Sequence, residues 1–145
     1  MTLWRSSFTV VHLNSSRAGT LIEHLGIEFI EIGVDFIRAT MPVDDRTRQP
    51  YGLLHGGASV ALAETLGSMG AMLCVDPEQY QCVGQEINAN HVRACRAGIV
   101  TGTARPMHVG TRSQIWAIDI TNEAGKLVCT SRLTVAIIRR GSLGA

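Results

Sequence analysis

The sequence predicts an α+β domain in which one curved antiparallel sheet packs on a single long central helix. Residues 55–75 form an apolar run that is too long for a strand and is followed by Pro77. β-rich segments precede this run and four more follow it, an order typical of an antiparallel sheet with a helix on one face. Because 145 residues is the size of one domain, we expect residues 1–145 to fold as a single unit.

The segments before the central run predict short helices and a pair of strands. Apolar residues are unevenly spaced over residues 8–24 and are interrupted at 14–16, which indicates one or two short helices. Residues 27–32 and 36–41 are rich in β-formers, and Gly33 marks a turn between them. The polar stretch between Pro42 and Pro50 predicts a loop.

We expect the central helix to span about residues 56–75, with Glu64 as its single charged residue. A carboxylate at that place argues against a membrane span. Large apolar side chains lie opposite Glu64 on a helical wheel, namely Leu62, Leu66, Met69 and Leu73. Small residues surround Glu64 and would let a helix, a subunit or a ligand approach closely, namely Gly57, Val60, Ala61, Ser68 and Ala71.

Four further strands are expected near residues 80–91, 98–107, 112–121 and 126–138. Residues 122–125, with the sequence Asn-Glu-Ala-Gly, predict a hairpin turn between the last two.

Composition excludes several classes of protein. Hydrophobic residues make up 46% of the chain and charged residues 17%, which is typical of a folded core rather than a disordered chain. The net charge of +1 argues against a nucleic-acid-binding protein. Residues 1–86 nevertheless carry net −5 and residues 87–145 net +6, which indicates a local anion site in the second half.

The four cysteines predict free thiols rather than a metal or disulfide framework. They form no C-x-x-C pair, and their spacing matches no zinc pattern. The first ten residues lack the apolar core of a signal peptide. We therefore expect a cytoplasmic protein with reduced cysteines.

Glu64 is the first candidate for chemistry. No Lys or Arg lies between Arg48 and Arg93, so Glu64 has no ion-pair partner on its own helix. A buried carboxylate without a partner is costly and easily perturbed, which is typical of functional groups in clefts. Two structural alternatives stay open at this stage: pairing with an arginine from elsewhere, or a position at a solvated edge.

The start of the helix is the second candidate. His55, Gly56 and Gly57 precede the apolar run, and glycines there leave backbone N–H groups uncovered at the positive end of the helix dipole. Such groups can hold a carbonyl oxygen as it gains negative charge. An ordinary helix cap is the alternative.

These residues resemble a known family. The stretch QPYGLLHGGASVALAETLGS at 49–68 is similar to the signature of hotdog-fold acyl-CoA thioesterases. Within that family it resembles the subgroup of 1,4-dihydroxy-2-naphthoyl-CoA thioesterase, enterobactin proofreading thioesterase and Arthrobacter-type 4-hydroxybenzoyl-CoA thioesterase. Further matches are MPVD at 41–44, EINANHVR at 86–93 and SRLT at 131–134, so the likeness runs from Leu3 to about Ile138.

The resemblance implies a hotdog fold and a role for each signature residue. Glu64 would be the catalytic carboxylate, acting as nucleophile or as general base on water. The Gly56 N–H would polarise the thioester carbonyl, with His55 beside it. Gln49 would contact the thioester or acyl group, and Ser68 would support the site or the attacking water. This arrangement needs no metal and no cofactor, since coenzyme A is part of the substrate.

The resemblance also implies binding residues. Coenzyme A contacts fall on Gly84, on His91, Val92, Arg93 and Ala94, and on His108, Val109, Gly110, Thr111, Arg112 and Ser113. Four arginines (Arg93, Arg96, Arg105 and Arg112) lie in a stretch from 88 to 117 without acidic residues, which suits the phosphates of coenzyme A. Met69 and Tyr51 are expected near the acyl group.

The family further implies a site shared across a dimer, with dimers pairing into tetramers. The expected substrate is an aromatic acyl-CoA, of hydroxynaphthoyl or hydroxybenzoyl type, and an acyl or aryl carrier protein is a further candidate donor. Two alternatives of other classes stay open. One is a hotdog hydroxyacyl-thioester dehydratase or hydratase, and the other is a non-catalytic acyl-CoA-binding regulator.

Overall fold

The computed structural model describes residues 3–143, so the outermost residues of the predicted domain, 1–2 and 144–145, lie outside the described part. In this part the helices are α1 (Val10–Ser15), α2 (Leu21–His24) and α3 (Gly56–Leu73). The strands are β1 (Glu28–Ile32), β2 (Ile37–Pro42), β3 (Tyr80–His91), β4 (Ile99–Val109), β5 (Ser113–Thr121) and β6 (Leu127–Arg139).

The strands form one antiparallel sheet with the order β1-β2-β4-β5-β6-β3, and α3 packs on one of its faces. The core between helix and sheet contains large, fully buried side chains from both layers, namely Phe29, Ile37, Leu62, Leu66, Trp116, Ile118 and Leu133. Trp4 covers one end of this core, because its ring stacks on Trp116 with 6.2 Å between centroids. The predicted α+β architecture is confirmed.

The central helix begins where expected and ends at Leu73, two residues before the predicted end. Cys74 caps it, and Pro77 follows closely and cannot continue a helix. The predicted apolar face is largely confirmed, since Leu62, Leu66 and Leu73 are buried. Met69 is the exception, because it is only half-buried.

The N-terminal helices differ from the prediction in one respect. Asn14 and Ser15 were expected to interrupt the helix, yet α1 continues through them. The reason is that the Asn14 side chain pairs with the β1 backbone: its Nδ2 donates to the Phe29 carbonyl at 2.8 Å, and its Oδ1 accepts from the Phe29 N–H at 2.9 Å. This amide pair fixes α1 against the sheet.

The four cysteines are free thiols, as expected. Burial raises the pKa of Cys74 to about 11 and that of Cys82 to about 12. Both thiols are therefore protonated at neutral pH and unsuited to act as nucleophiles. Within residues 3–143, none of the helices is long and apolar enough to cross a membrane.

The edge strand β3 positions the site. It pairs with β6 along one side, and its other side has no partner strand within residues 3–143. A bulge between Gly84 and Glu86 shifts the alternation of side chains. Gly84 pairs with Val135 and His91 with Cys129, both buried beneath α3, so Gly84 and His91 share the helix-facing side despite their odd spacing.

Candidate active site

Glu64 lies against β3 at Gly84. A Cβ atom at Gly84 would collide with Oε1 of Glu64, so glycine is required there for the carboxylate to sit on the strand. Glu64 is half-buried and has no hydrogen-bond or ion-pair partner within residues 3–143. Pairing with an arginine is thereby excluded for the described chain, and the carboxylate oxygens stay available to a ligand.

The start of α3 leaves one backbone donor without an acceptor. The His55 ring accepts from the Gly57 N–H at 2.8 Å, and the His55 carbonyl accepts from the N–H groups of Ala58 and Ser59 at 2.9 and 3.2 Å. The Gly56 N–H has no acceptor among the described residues. The first N–H groups of a helix usually lack acceptors within the helix. At the start of α3 only the Gly56 N–H lacks one among the described residues, and it lies at the positive end of the helix dipole.

His91 is the strand residue closest to this donor. A Cβ atom at Gly56 would lie 2.7 Å from Nε2 of His91, so the imidazole rests directly on the Gly56 backbone. One strand therefore contacts both candidate groups of α3: Gly84 lies beneath Glu64 and His91 lies beside Gly56. Any substituent on either glycine would displace a site residue.

Gln49 opens the turn that leads into the helix. Its N–H donates to the Leu53 carbonyl at 2.8 Å, and its Oε1 accepts from the Tyr51 N–H. Gly52 closes the turn with φ +78°, a conformation that favours glycine. The Nε2 group of Gln49 has no acceptor among the described residues and remains a free donor.

A model of the thioesterase superfamily matches residues 51–129, more than half of the chain and all of α3 and β3. The chain belongs to the thioesterase superfamily. It is 52% identical to 1,4-dihydroxy-2-naphthoyl-CoA hydrolase of Escherichia coli over 94% of this chain and 99% of that protein. It is 53% identical to the proofreading thioesterase EntH of Cronobacter turicensis over 94% of this chain and 98% of that protein.

Solved structures agree with this membership. A Q49A mutant of a thioesterase from Pseudomonas aeruginosa superposes with a TM-score of 0.93 and 48% identity, over 94% of this chain and 99% of that chain. The expected hotdog fold and thioester hydrolase class are confirmed, and the chain is a thioester hydrolase. The dehydratase and regulator alternatives are not favoured.

Ser68 and Met69 of this thioesterase follow Glu64 along α3. Ser68 lies one helical turn further and is half-buried, and its Oγ has no hydrogen-bond partner within residues 3–143. Met69 borders a cavity of about 390 Å³ between α1 and α3, together with Phe8, Leu13 and Met72. Tyr51, by contrast, is 84% exposed and does not line this cavity.

The predicted coenzyme A residues of the thioesterase fall into two separate groups. One row of paired residues crosses the sheet through Gly84, Val135, Gln114 and Val109. Residues 108–113 therefore lie near Gly84. Residues 91–94 lie at the other end, in the row of Cys129. Six residues of β6 separate the rows, a distance of about 20 Å. A single chain does not bring the two groups together.

The predicted arginine cluster needs a correction. Arg105 of β4 forms an ion pair with Asp35 at 2.6 Å and lies over the Phe36 ring at 4.7 Å, so its guanidinium is held by the turn between β1 and β2. Arg93 donates from Nε to the Leu127 carbonyl at 3.2 Å. The Arg112 guanidinium has no partner among the described residues. Arg96 donates from Nη1 to the Tyr51 carbonyl at 3.5 Å and stays a prediction. Arg93 and Arg112, which belong to the predicted coenzyme A segments, lie at opposite ends of the sheet.

Two features of the site were not predicted. The contact of His91 with Gly56 depends on the bulge in β3, which the sequence does not signal. The cavity beside Met69 includes His12, which was not among the predicted site residues. The Thr9–His12 spacing is a detectable signal, because it fits a capping box that puts His12, Ser15 and Ser16 on one side of a helix.

Within residues 3–143, no group of three or more His, Cys, Asp or Glu side chains is placed to hold a metal ion.

Proposed function

We propose that the chain hydrolyses aromatic acyl-CoA thioesters, with Glu64 as the catalytic carboxylate and the Gly56 N–H as the oxyanion donor. The unpaired carboxylate of Glu64, seated on Gly84, carries this proposal. It is supported by the Gly56 N–H, which all capping interactions of the helix leave free. Thioester hydrolysis needs an attacking oxygen, an oxyanion donor and orientation.

Two routes use the same residues. In the first, a Glu64 oxygen attacks the carbonyl carbon, the C–S bond breaks, coenzyme A leaves as a thiolate, and water then hydrolyses the anhydride. In the second, Glu64 takes a proton from water as the water oxygen attacks the same carbon; the C–S bond then breaks, and the proton goes to the departing coenzyme A thiolate. In both, negative charge develops on the carbonyl oxygen, where the Gly56 N–H stabilises it. Neither route requires a metal or a cofactor.

Gln49, His55 and Ser68 are proposed as supporting residues. The free Nε2 of Gln49 is a donor for the thioester or acyl group. His55 holds the Gly57 N–H and so keeps the helix start in the geometry that exposes Gly56. The Ser68 hydroxyl, one turn from Glu64, is free to hold the attacking water.

The acyl group is proposed to be aromatic, with Met69 as a candidate contact. The relative named 1,4-dihydroxy-2-naphthoyl-CoA hydrolase supports an aromatic group. A panel of benzoyl-, hydroxybenzoyl-, hydroxynaphthoyl- and straight-chain acyl-CoA thioesters, assayed by thiol release, tests this.

We expect the aromatic members of the panel to give the highest kcat/KM. A preference for straight-chain acyl groups would contradict the aromatic proposal and leave thioester hydrolysis intact. A change in enoyl absorbance without thiol release would instead support a dehydratase. The same panel on carrier-protein thioesters decides whether an acyl or aryl carrier protein replaces coenzyme A.

A complete site is proposed to require a second copy of the chain. Gly56 and Glu64 are two helical turns apart, about 12 Å along the axis, whereas one reacting carbon must lie about 3 Å from both groups. Two-fold pairing of chains through the free edge of β3 would place Glu64 of one copy near Gly56 of the other. It would also bring residues 91–94 of one copy toward residues 108–113 of its partner. Such dimers are proposed to pair into tetramers.

Mixing two arginine variants tests the shared site. Arg93→Ala or Arg112→Ala alone is expected to raise KM for acyl-CoA more than it lowers kcat, because a remote phosphate contact contributes uniform binding. In a mixed dimer, one of the two sites would contain both arginines. We therefore expect the mixture, after subunit exchange, to regain about a quarter of wild-type activity at low substrate concentration, since half of the dimers are mixed.

The measurement is thiol release at substrate concentrations below KM, with sedimentation analysis of the same samples. Activity of the mixture that merely averages the two variants would contradict the sharing of one site between chains. An unchanged KM in both variants would contradict the phosphate-binding role itself. Arg132→Ala serves as the matched control, because Arg132 is exposed on the sheet face away from α3.

The cellular compartment is proposed to be the reducing cytoplasm. All four cysteines are unpaired, and burial raises the pKa of Cys74 and Cys82, as is usual for structural thiols.

A further inference from the structure

The two edge strands of the sheet differ in how their outer backbone groups are satisfied. Within residues 3–143, β1 and β3 lie at opposite ends of the strand order, and each pairs with one neighbouring strand. From Gln81 to His91, the backbone of β3 makes no hydrogen bond to a described residue outside β6. An edge of this kind presents a row of open N–H and C=O groups and is a surface for pairing with another strand.

The outer edge of β1 is instead occupied by the N-terminal helices and the turn between them. Asn14 exchanges two hydrogen bonds with the Phe29 backbone, donating to its carbonyl at 2.8 Å and accepting from its N–H at 2.9 Å. A residue of a neighbouring antiparallel strand would form the same pair of bonds. The Ile27 carbonyl accepts from Nη1 of Arg17 at 2.5 Å, and the Ile27 N–H donates to the Ile22 carbonyl at 3.0 Å. Four backbone groups that a second strand would need are therefore already paired.

We infer that α1 closes the β1 edge against a second copy of the chain, with Asn14 and Arg17 as the closing residues. Strand pairing between chains is then confined to β3, the edge that the proposed dimer uses. With both edges open, each chain would pair with one copy through β1 and with another through β3, which gives an open-ended ribbon. The inference rests on the hydrogen bonds of β1 and stands whichever thioester the chain hydrolyses.

Replacing both closing residues opens the edge without removing the helix. Alanine is a better helix former than asparagine, so Asn14→Ala favours α1, and Arg17 lies beyond the end of α1. Leu13, which is buried, and the capping box at Thr9 still hold α1 in place. Exchange of the Phe29 amide proton reports whether the edge has opened. We expect it to be about tenfold faster in Asn14→Ala/Arg17→Ala than in the wild type, since one hydrogen bond is lost.

Sedimentation velocity over a series of protein concentrations measures the effect on assembly. The wild type is expected to keep one closed size. For Asn14→Ala/Arg17→Ala we expect the weight-average mass to rise about fourfold over an about sixteenfold range of concentration, because open-ended growth scales roughly with the square root of concentration. Asn14→Ala alone is the milder variant, and it should grow in the same way to a smaller extent. Thermal unfolding of each protein verifies that the samples are folded at the temperature of the measurement.

A third change distinguishes pairing through β1 from growth that follows unfolding. Ile30 is the bulge residue that β2 leaves unpaired, and proline is tolerated at bulges but opposes strand addition at an edge. Ile30→Pro, added to the double variant, is therefore expected to restore the wild-type size. Growth that persists with Ile30→Pro, or a wild-type size of the double variant at every concentration, would overturn the inference. Unchanged exchange at Phe29 would also overturn it, because the edge would then be closed without Asn14 and Arg17.

Discussion

Glu64→Ala is expected to lower kcat/KM for acyl-CoA hydrolysis by about 10² to 10⁴-fold, the usual contribution of a positioned acid or base. The carboxylate has no partner to stabilise in the described chain, so its loss removes chemistry rather than a structural contact. Replacing a half-buried, unpaired charge also relieves a desolvation cost, and we expect an unchanged or slightly higher melting temperature. Thiol release and thermal unfolding of the same preparation measure both effects.

Two further variants sharpen the result. Glu64→Gln keeps the shape of the side chain on Gly84 but removes its charge, and it should be as inactive as Glu64→Ala. Glu78→Ala removes an exposed glutamate in the turn before β3 and should leave the rate within about twofold. Near wild-type hydrolysis in Glu64→Gln would show that the carboxylate does not attack or accept a proton.

The elements of the fold are predictable because local patterns agree with the final packing. The apolar run that forms α3 is too long for a strand, and the β-rich segments alternate with clear turns, as at 122–125. The predictions are wrong where tertiary contacts, rather than local sequence, determine the local structure. Asn14 is a poor helix former by propensity, but its side chain pairs with the Phe29 backbone and holds α1 together.

The candidate site is predictable in its residues but not in its geometry. Glu64 is recognisable because it is the single charged residue of the central helix, and Gly56 because it lies at the start of that helix. Their relation to β3 depends on the bulge at Gly84, which moves His91 onto the helix-facing side. The separation of Arg93 from Arg112 is likewise a property of sheet register. A local stretch of sequence does not reveal this separation, because the backbone of each arginine is placed by hydrogen bonds to the distant strand β6.

Gly84→Ala is expected to lower kcat about 10- to 100-fold with little loss of stability. The added methyl group would collide with Oε1 of Glu64, while its next neighbour, Cδ1 of Leu133, lies at 3.6 Å. Because the carboxylate ends a flexible side chain, it moves aside, and the backbone of β3 stays in place. The reacting oxygen is then displaced by about 1 Å, which is enough to cost this much in rate. Kinetics and thermal unfolding of Gly84→Ala, with Val83→Ala on the opposite face as control, measure the effect.

The double variant decides whether Gly84 acts through Glu64. In a Glu64→Ala background there is no carboxylate to displace, so adding Gly84→Ala should change the residual rate by less than about twofold. Equal losses in the two backgrounds would mean that Gly84 acts independently, and a rise in KM rather than a fall in kcat would assign it to coenzyme A binding. The coupling between the two positions therefore measures directly how far the strand, rather than the helix alone, places the catalytic oxygen.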